Sequence, residues 1–312
     1  MQDAPNSFDT TLAGLNKRDW LQKVGEIADE QGYMQPLGKR HAAIFVEEKP
    51  TLLVTFETIQ GIQALSPDAQ PMGWDMVRAL GWSHLCLVSD GDTWFRDAQV
   101  YAYFDRLTDD GFFDDYDQVI FYGAGPCGYA AAAFSVASPG ATVVAIQPQA
   151  TLDPRVTEWD DRFVEMRRTA FDDRYGYAPD MLDAAQQAYV FYDQHEHLDA
   201  MHAALFTRQN VAKLRMAFMG DALQSDLMDM QLLYRILARA ASGKLTTESF
   251  AKLYRARRDH APYLRKLLAK LETEERTDLA IDLCRSVTNR MHAPRFKRRL
   301  RYLEDLAGGD TD

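Results

Sequence analysis

Two short runs, QVIFY (118–122) and TVVAI (142–146), are apolar or aromatic at almost every position rather than at every second one. A strand without in/out alternation is covered on both faces, which places it inside a parallel sheet with helices on either side. Further strand candidates are HLCLVS (84–89), YVFYD (189–193) and LRMAFM (214–219). AAIFVEE (42–48), a Lys-Pro turn and TLLVTFE (51–57) together predict a hairpin. Amphipathic stretches at 20–31, 97–107, 129–136, 155–168 and 181–188 predict helices between them. Strand-helix alternation of this kind calls for right-handed crossovers and a mostly parallel α/β sheet with helices on both faces.

After Met219 the strand signal stops. Segments 223–240, 247–258, 262–272, 277–288 and 294–306 predict helices, with Pro262 and Pro294 near helix starts, where proline is tolerated. Ser242-Gly243 is a plausible joint. The expected division is therefore an α/β domain over 1–240 and a helical C-terminal region over 241–312, ending in a frayed GGDTD. The charge divides at nearly the same place. Residues 1–230 carry 17 basic and 35 acidic side chains (−18) and residues 231–312 carry 18 and 11 (+7), which sum to the formal −11. A basic helical appendage docked on an acidic body accounts for this split. The tail's aromatics (Tyr234, Phe250, Tyr254, Tyr263, Phe296, Tyr302) form no stacking cluster, so nucleic acid is not an expected partner.

At 312 residues the chain can bury a sizeable core. Its three cysteines (Cys86, Cys127, Cys284) are too few for a disulfide framework or a zinc cage, which favours a reducing cytoplasm. No apolar stretch is long enough for a membrane helix. MQDAPNSFDT lacks the basic and apolar regions of a signal peptide. The expectation is a cytoplasmic protein without membrane segment, cofactor or metal, and homo-oligomerisation is compatible with it.

In an open parallel sheet, ligands bind beyond the carboxyl ends of the strands. The loop after QVIFY is Gly123-Ala124-Gly125-Pro126-Cys127-Gly128-Tyr129, running into a small-residue helix. Strand, Gly-rich tight turn and helix make the frame of a nucleophile elbow. Here the chain resembles the α/β-hydrolase superfamily, especially the branch whose elbow reads Y-G-x-S-x-G-G-Y-A-A ahead of a strand ending in P-Q; this chain offers Gly123, Gly125, Gly128-Tyr129-Ala130-Ala131 and then Pro148-Gln149. The resemblance covers roughly residues 40–225 in element order. It implies a hydrolase-like sheet and a Ser-acid-His triad.

The triad is incomplete. On this alignment the nucleophile position falls on Gly125, and the next residue, whose N–H would serve the oxyanion hole, is Pro126, which has none. The acid's place is taken by Asp193, while Gly220-Asp221-Ala222 occupies the histidine's place, and His260 is the next histidine downstream. The reading that follows is a hydrolase-like protein without nucleophile or late histidine, which binds a small anionic or acyl ligand or a protein partner. The alternative is a thioesterase- or acyltransferase-type enzyme. Cys127, with a thiol pKa lowered by the helix N-terminus, would be its nucleophile, Asp193 the acid and His195 a displaced base. Against this stands Cys127 as a packing residue in the strand-helix crossing.

Gly123, Gly125, Pro126 and Gly128 are candidate ligand-binding residues, as a Gly-rich loop opening a helix can hold an anion. The loop also matches G-x-G-x-x-G but lacks the ribose-gripping acid. Glu57 after the TLLVTF strand, Asp92 in the Ser89–Asp97 loop, and Gln149 and Asp153 after TVVAI are further crevice candidates. Asp193 to His202 resembles the H-x-H-x-D-H zinc motif but has Ala200 where a histidine is needed, which favours solvated side chains. The chain also resembles alphaproteobacterial proteins that carry the name phosphoadenosine phosphosulfate reductase. That family's S-G-G-x-D-S loop is absent and Cys284 lacks Cys-Gly-Leu-His surroundings, so the activity is not expected.

Overall fold

The apolar runs form the middle of an eight-stranded sheet, as their lack of alternation requires. The computed structural model describes residues 7–48 and 50–309. The chain begins with α1 (Lys17–Ala28), β1 (Gly32–Leu37), β2 (His41–Val46), β3 (Thr51–Thr58), α2 (Ile59–Leu65) and α3 (Gly73–Leu80). It continues through β4 (Ser83–Ser89), α4 (Ala98–Asp109), β5 (Gln118–Ala124), α5 (Pro126–Phe134), β6 (Thr142–Ile146), α6 (Pro154–Thr157) and α7 (Ala178–Met181). Next come β7 (Gln187–Tyr192), α8 (His197–Leu205), β8 (Val211–Arg215), α9 (Leu223–Asp229), α10 (Leu233–Ala241) and α11 (Thr247–Leu253). The last three helices are α12 (Ala261–Thr273), α13 (Thr277–Arg290) and α14 (Pro294–Gly309).

The strand order is β1-β2-β4-β3-β5-β6-β7-β8. From β4 to β8 every neighbouring pair is parallel, while β1 and β2 pair antiparallel with each other and β2 pairs antiparallel with β4. This is an α/β-hydrolase-like sheet. The expected hairpin of residues 42–48 with 51–57 does not form, because β4 inserts between β2 and β3. The hairpin partner of β2 is instead β1, a half-exposed edge strand whose Pro36 is tolerated because edges spare a ladder hydrogen bond.

Both faces are covered. Phe56, Phe121, Val143 and Val190 face α4, α5 and α7 in one core. Leu53, Ile120, Tyr122, Val144 and Phe191 face α9, α10 and α11 in a second. A third core joins Trp20 and Val24 of α1 to Ile44 and Cys86. The predicted helix at 223–240 is broken into α9 and α10 by Gln231, whose φ is 57°. Of the segment 155–168, only α6 and a 3₁₀ turn at Val164–Arg168 are helical.

The joint at Ser242-Gly243 lies within one packed unit. Leu245 and Phe250 share the core of α10, the Tyr189 hydroxyl donates to the Leu245 carbonyl (2.7 Å), and Phe191 meets Phe250 edge-on at 5.3 Å. A separate small core begins at Leu264 and gathers Ile281, Cys284, Val287, Phe296 and Leu303 from α12, α13 and α14. Gly308 and Gly309 continue α14, and the rest of the expected frayed tail lies outside the described residues. Among the described residues no helix is long and apolar enough to cross a membrane.

Candidate functional site

The turn between β5 and α5, the elbow of the sequence reading, is sharp. Gly125 joins β5 to α5 at φ 56° and ψ −123°, a conformation costly for any residue with a side chain. Its N–H donates to the Ile146 carbonyl (2.8 Å), and its own carbonyl accepts from the Tyr129 N–H (3.0 Å). A Cβ at Gly125 would meet nothing within 4 Å, so this turn faces open space without a side chain. Gly123 and Gly128 are glycines for a different reason. A Cβ at Gly123 would lie 2.1 Å from the Cys127 carbonyl oxygen, and one at Gly128 would lie 2.9 Å from that of Ile146. They allow α5 to lie close on the sheet. Pro126 occupies the first position of α5, where its missing N–H leaves the turn without the donor an oxyanion would need.

Cys127 follows. Its thiol is buried and pushed well above the usual cysteine range by burial and, more weakly, by the negative charges of Asp92 and Glu57. This reverses the expected lowering. Desolvation of the thiolate outweighs the helix N-terminus when carboxylates rather than cations stand nearby. Asp193, the acid of the sequence reading, is fully buried after β7. Its Oδ2 accepts from the Gly220 N–H (2.8 Å) and its Oδ1 from the His195 N–H (2.9 Å). The His195 ring turns outward and stacks on Phe218 with ring centroids 4.1 Å apart, so it is the backbone of His195, not its imidazole, that meets the acid.

On one side of the elbow lies a cavity of about 180 Å³, lined by Glu57, Asp92, Cys127, Pro126, Met72 and Tyr234 among others. Glu57 stands at its floor. Burial pushes its carboxyl pKa up, while hydrogen bonds from the Thr55 hydroxyl (2.7 Å), the Met72 N–H (3.2 Å) and the Cys86 thiol (3.5 Å) hold it back. Because Thr55 spends its proton on Glu57, the fully buried His84, with Nε2 2.8 Å from Thr55 Oγ1, donates to Thr55. Burial depresses the His84 pKa to about 3, so the ring is neutral. Gly73 makes room for that ring: a Cβ there would lie 2.2 Å from His84 Cδ2. The only cation lining this cavity among the described residues is Arg78, and it is engaged by Asp75, the Gln70 side chain and the Phe8 carbonyl. Arg78 is thus already paired within the protein rather than facing the cavity unpartnered.

On the other side of the elbow is a more open crevice lined by Gly125, Pro126, Gln147, Gln149, Arg162 and Asp199. Its wall is a buried network that the sequence did not reveal. His202 Nδ1 accepts from the Ala150 N–H (3.1 Å), so its Nε2 donates to Asp160 (2.8 Å). Arg162 bridges Asp160 (2.8 Å) and Asp199 (2.7 Å), and the Gln147 amide donates to Asp199 (2.7 Å). Burial raises the Asp160 pKa, but the hydrogen bonds from His202 and Arg162 outweigh it and hold the carboxyl well below the carboxylate range. Of the histidines and aspartates in 193–202, His195 and His197 are exposed as expected, while Asp193, Asp199 and His202 are buried. Histidine three residues after aspartate on a helix was the only available signal, and its partners Asp160 and Ala150 are 42 and 52 residues away in sequence. Gln149 accepts from the Trp94 indole N–H (3.1 Å) at this crevice. Asp153 instead caps α6 and pairs with Arg155 (2.6 Å), and it lines neither space.

No family model matches the chain, and no curated protein matches it. Solved structures of similar shape do. The glycosylation-associated protein (Gap123) complex from Streptococcus agalactiae aligns with a TM-score of 0.45 at 12% identity over 65% of this chain; the chain spans 45% of that one. A hyperthermophilic esterase from the archaeon Pyrobaculum calidifontis aligns at TM-score 0.42 and 13% identity, covering 72% of this chain and 90% of that one. A thermostable carboxylesterase cloned from a metagenomic library aligns at 0.42 and 12%, covering 78% and 98%. Likeness at this level carries nothing about activity. The fold assignment rests on the strand order and the parallel pairing of β4 to β8.

Proposed function

We propose that this chain is an α/β-hydrolase-like binding protein in which the serine-hydrolase reaction has been lost and the elbow crevice receives a ligand or a partner's side chain. The observation that carries the reading is Gly125. It keeps the strained backbone of a nucleophile position, φ 56° and ψ −123°, while presenting no nucleophile to the open space before it. Pro126 removes the adjacent donor, and Asp193 is committed to backbone groups. The cavity above Glu57, mixed apolar and acidic with its single lining cation already paired, suits a neutral or cationic ligand with an apolar part better than an anion. A thiol-dependent reaction at Cys127 draws no support from its surroundings, since burial and two carboxylates oppose the thiolate.

The test combines an activity assay with a binding assay. Purified protein should hydrolyse p-nitrophenyl butyrate and an acyl thioester no faster than a Gly125→Ala control. Small amines and neutral amphiphiles should raise its melting temperature, and Glu57→Gln should weaken the effect of the amines. Turnover abolished by Cys127→Ser would replace this reading with the cysteine-dependent one.

A further inference from the structure

Away from the elbow, α9 carries Asp226 and Asp229 on one face, and His260, the residue that precedes α12, packs against them. One potential donor atom from each of the three lies within 4.8 Å of the others. His260 Nε2 is 2.7 Å from Asp226 Oδ1, and both residues are more than nine-tenths buried, at 9% and 6% exposure. The other carboxylate oxygen, Asp226 Oδ2, is buried without any hydrogen-bond partner, and so is the nearby Tyr254 hydroxyl. Leaving a buried carboxylate oxygen unpaired is costly. Asp229 is exposed, which leaves the group open to solvent on one side. Among the described residues a second such grouping, Glu57 with His84 and Cys86, differs in that the Thr55 hydroxyl bonds both Glu57 and His84, and it is buried throughout.

We infer that Asp226, Asp229 and His260 bind a first-row divalent transition-metal ion that ties the helical tail to the body. An imidazole with two carboxylates suits Zn²⁺ or Mn²⁺; Mg²⁺ and Ca²⁺ favour all-oxygen sets, and without a thiolate the site has no preference for soft metals. The ion gives Asp226 Oδ2 the partner it lacks. It also bridges two elements of different origin. The face of α9 that bears Gln224 and Met228 lines the Glu57 cavity, whereas His260 opens the three-helix tail. The site thus fixes one wall of the cavity against the tail, and it stands independently of whether the cavity binds a ligand.

Full-length protein, stripped with a chelator and dialysed, is titrated separately with Zn²⁺, Mn²⁺ and Mg²⁺ by calorimetry, with melting temperature read in parallel. The expected result is one saturable Zn²⁺ or Mn²⁺ site per chain, micromolar or tighter, with a rise in melting temperature and no comparable response to Mg²⁺. Asp229→Asn, an exposed change that leaves the fold intact, should weaken affinity by about tenfold or more, and His260→Gln should do the same. Absence of saturable uptake, or uptake unchanged in Asp229→Asn, would overturn the assignment, as would equal affinity for Mg²⁺.

Discussion

The buried carboxylate of Asp193 accepts a hydrogen bond from the backbone N–H of Gly220, at 2.8 Å. In a hydrolase of this fold, the corresponding acid would orient a histidine carried by the loop after β8. Here it fastens that loop by its backbone. Asp193→Ala should therefore behave as a structural variant: the Gly220 and His195 N–H groups lose their acceptor, at a cost of about 1–3 kcal/mol by urea denaturation. Unchanged stability with a change confined to some catalytic rate would contradict this.

Restoring the serine should not restore a hydrolase. Gly125→Ser has room for its side chain, so the expected penalty is conformational, about 1–3 kcal/mol for a side chain at φ 56°. Ester hydrolysis should stay at background, because Pro126 offers no N–H and the His195 ring is stacked on Phe218. Esterase activity in this single variant would show that a base and an oxyanion donor exist elsewhere in the crevice.

All three thiols are buried, and Cys127 is held protonated. A disulfide reagent at pH 7.5 should detect almost no fast-reacting thiol in the native protein and three after denaturation. One rapidly labelled thiol mapping to Cys127 would reverse this account of its environment.

Asp160 ties stability to acid pH. Its folded pKa lies below the unfolded value of about 3.9, so it stabilises the fold above that pH and the contribution is lost as pH falls through the range beneath it. Asp160→Asn should cost about 3 kcal/mol at pH 7, where Arg162 and His202 lose a charged partner. The gap between variant and parent, read from urea midpoints, should narrow at pH 3. A gap of equal size at both pH values would mean that the network contributes through shape alone.

Gly73 and His84 should be coupled. Gly73→Ala drives a methyl group into the buried imidazole, with an expected loss of about 2 kcal/mol or more. Because His84→Ala removes the obstacle, the double variant should be more stable than the summed single effects by about 1–3 kcal/mol. Strict additivity would show that α3 shifts to relieve the contact.

What the sequence disclosed was local. β5 and β6 were legible because strands buried on both faces carry no alternation, and the elbow was legible because Gly123, Gly125 and Gly128 are each dictated by backbone angle or close approach. The pairing of β2 was not, since β4 reaches it from beyond α3, and no feature of residues 42–57 encodes that insertion. β1 escaped notice because an edge strand that is half exposed and contains Pro36 lacks both the apolar run and the alternation. The Asp160–Arg162–Asp199–His202 network was hidden for a similar reason: each member is an ordinary polar residue until the chain brings α8 beside the segment after α6. The acidity of Cys127 was not legible because its burial and, more weakly, the charges of Asp92 and Glu57 are supplied by elements distant in sequence.

The side-chain-free turn has one more effect. Ala124, Pro126 and Gln224 border both spaces at the sheet end, and Gly125 itself opens onto the second. A side chain at position 125 would project into that open crevice, so glycine leaves its mouth unobstructed.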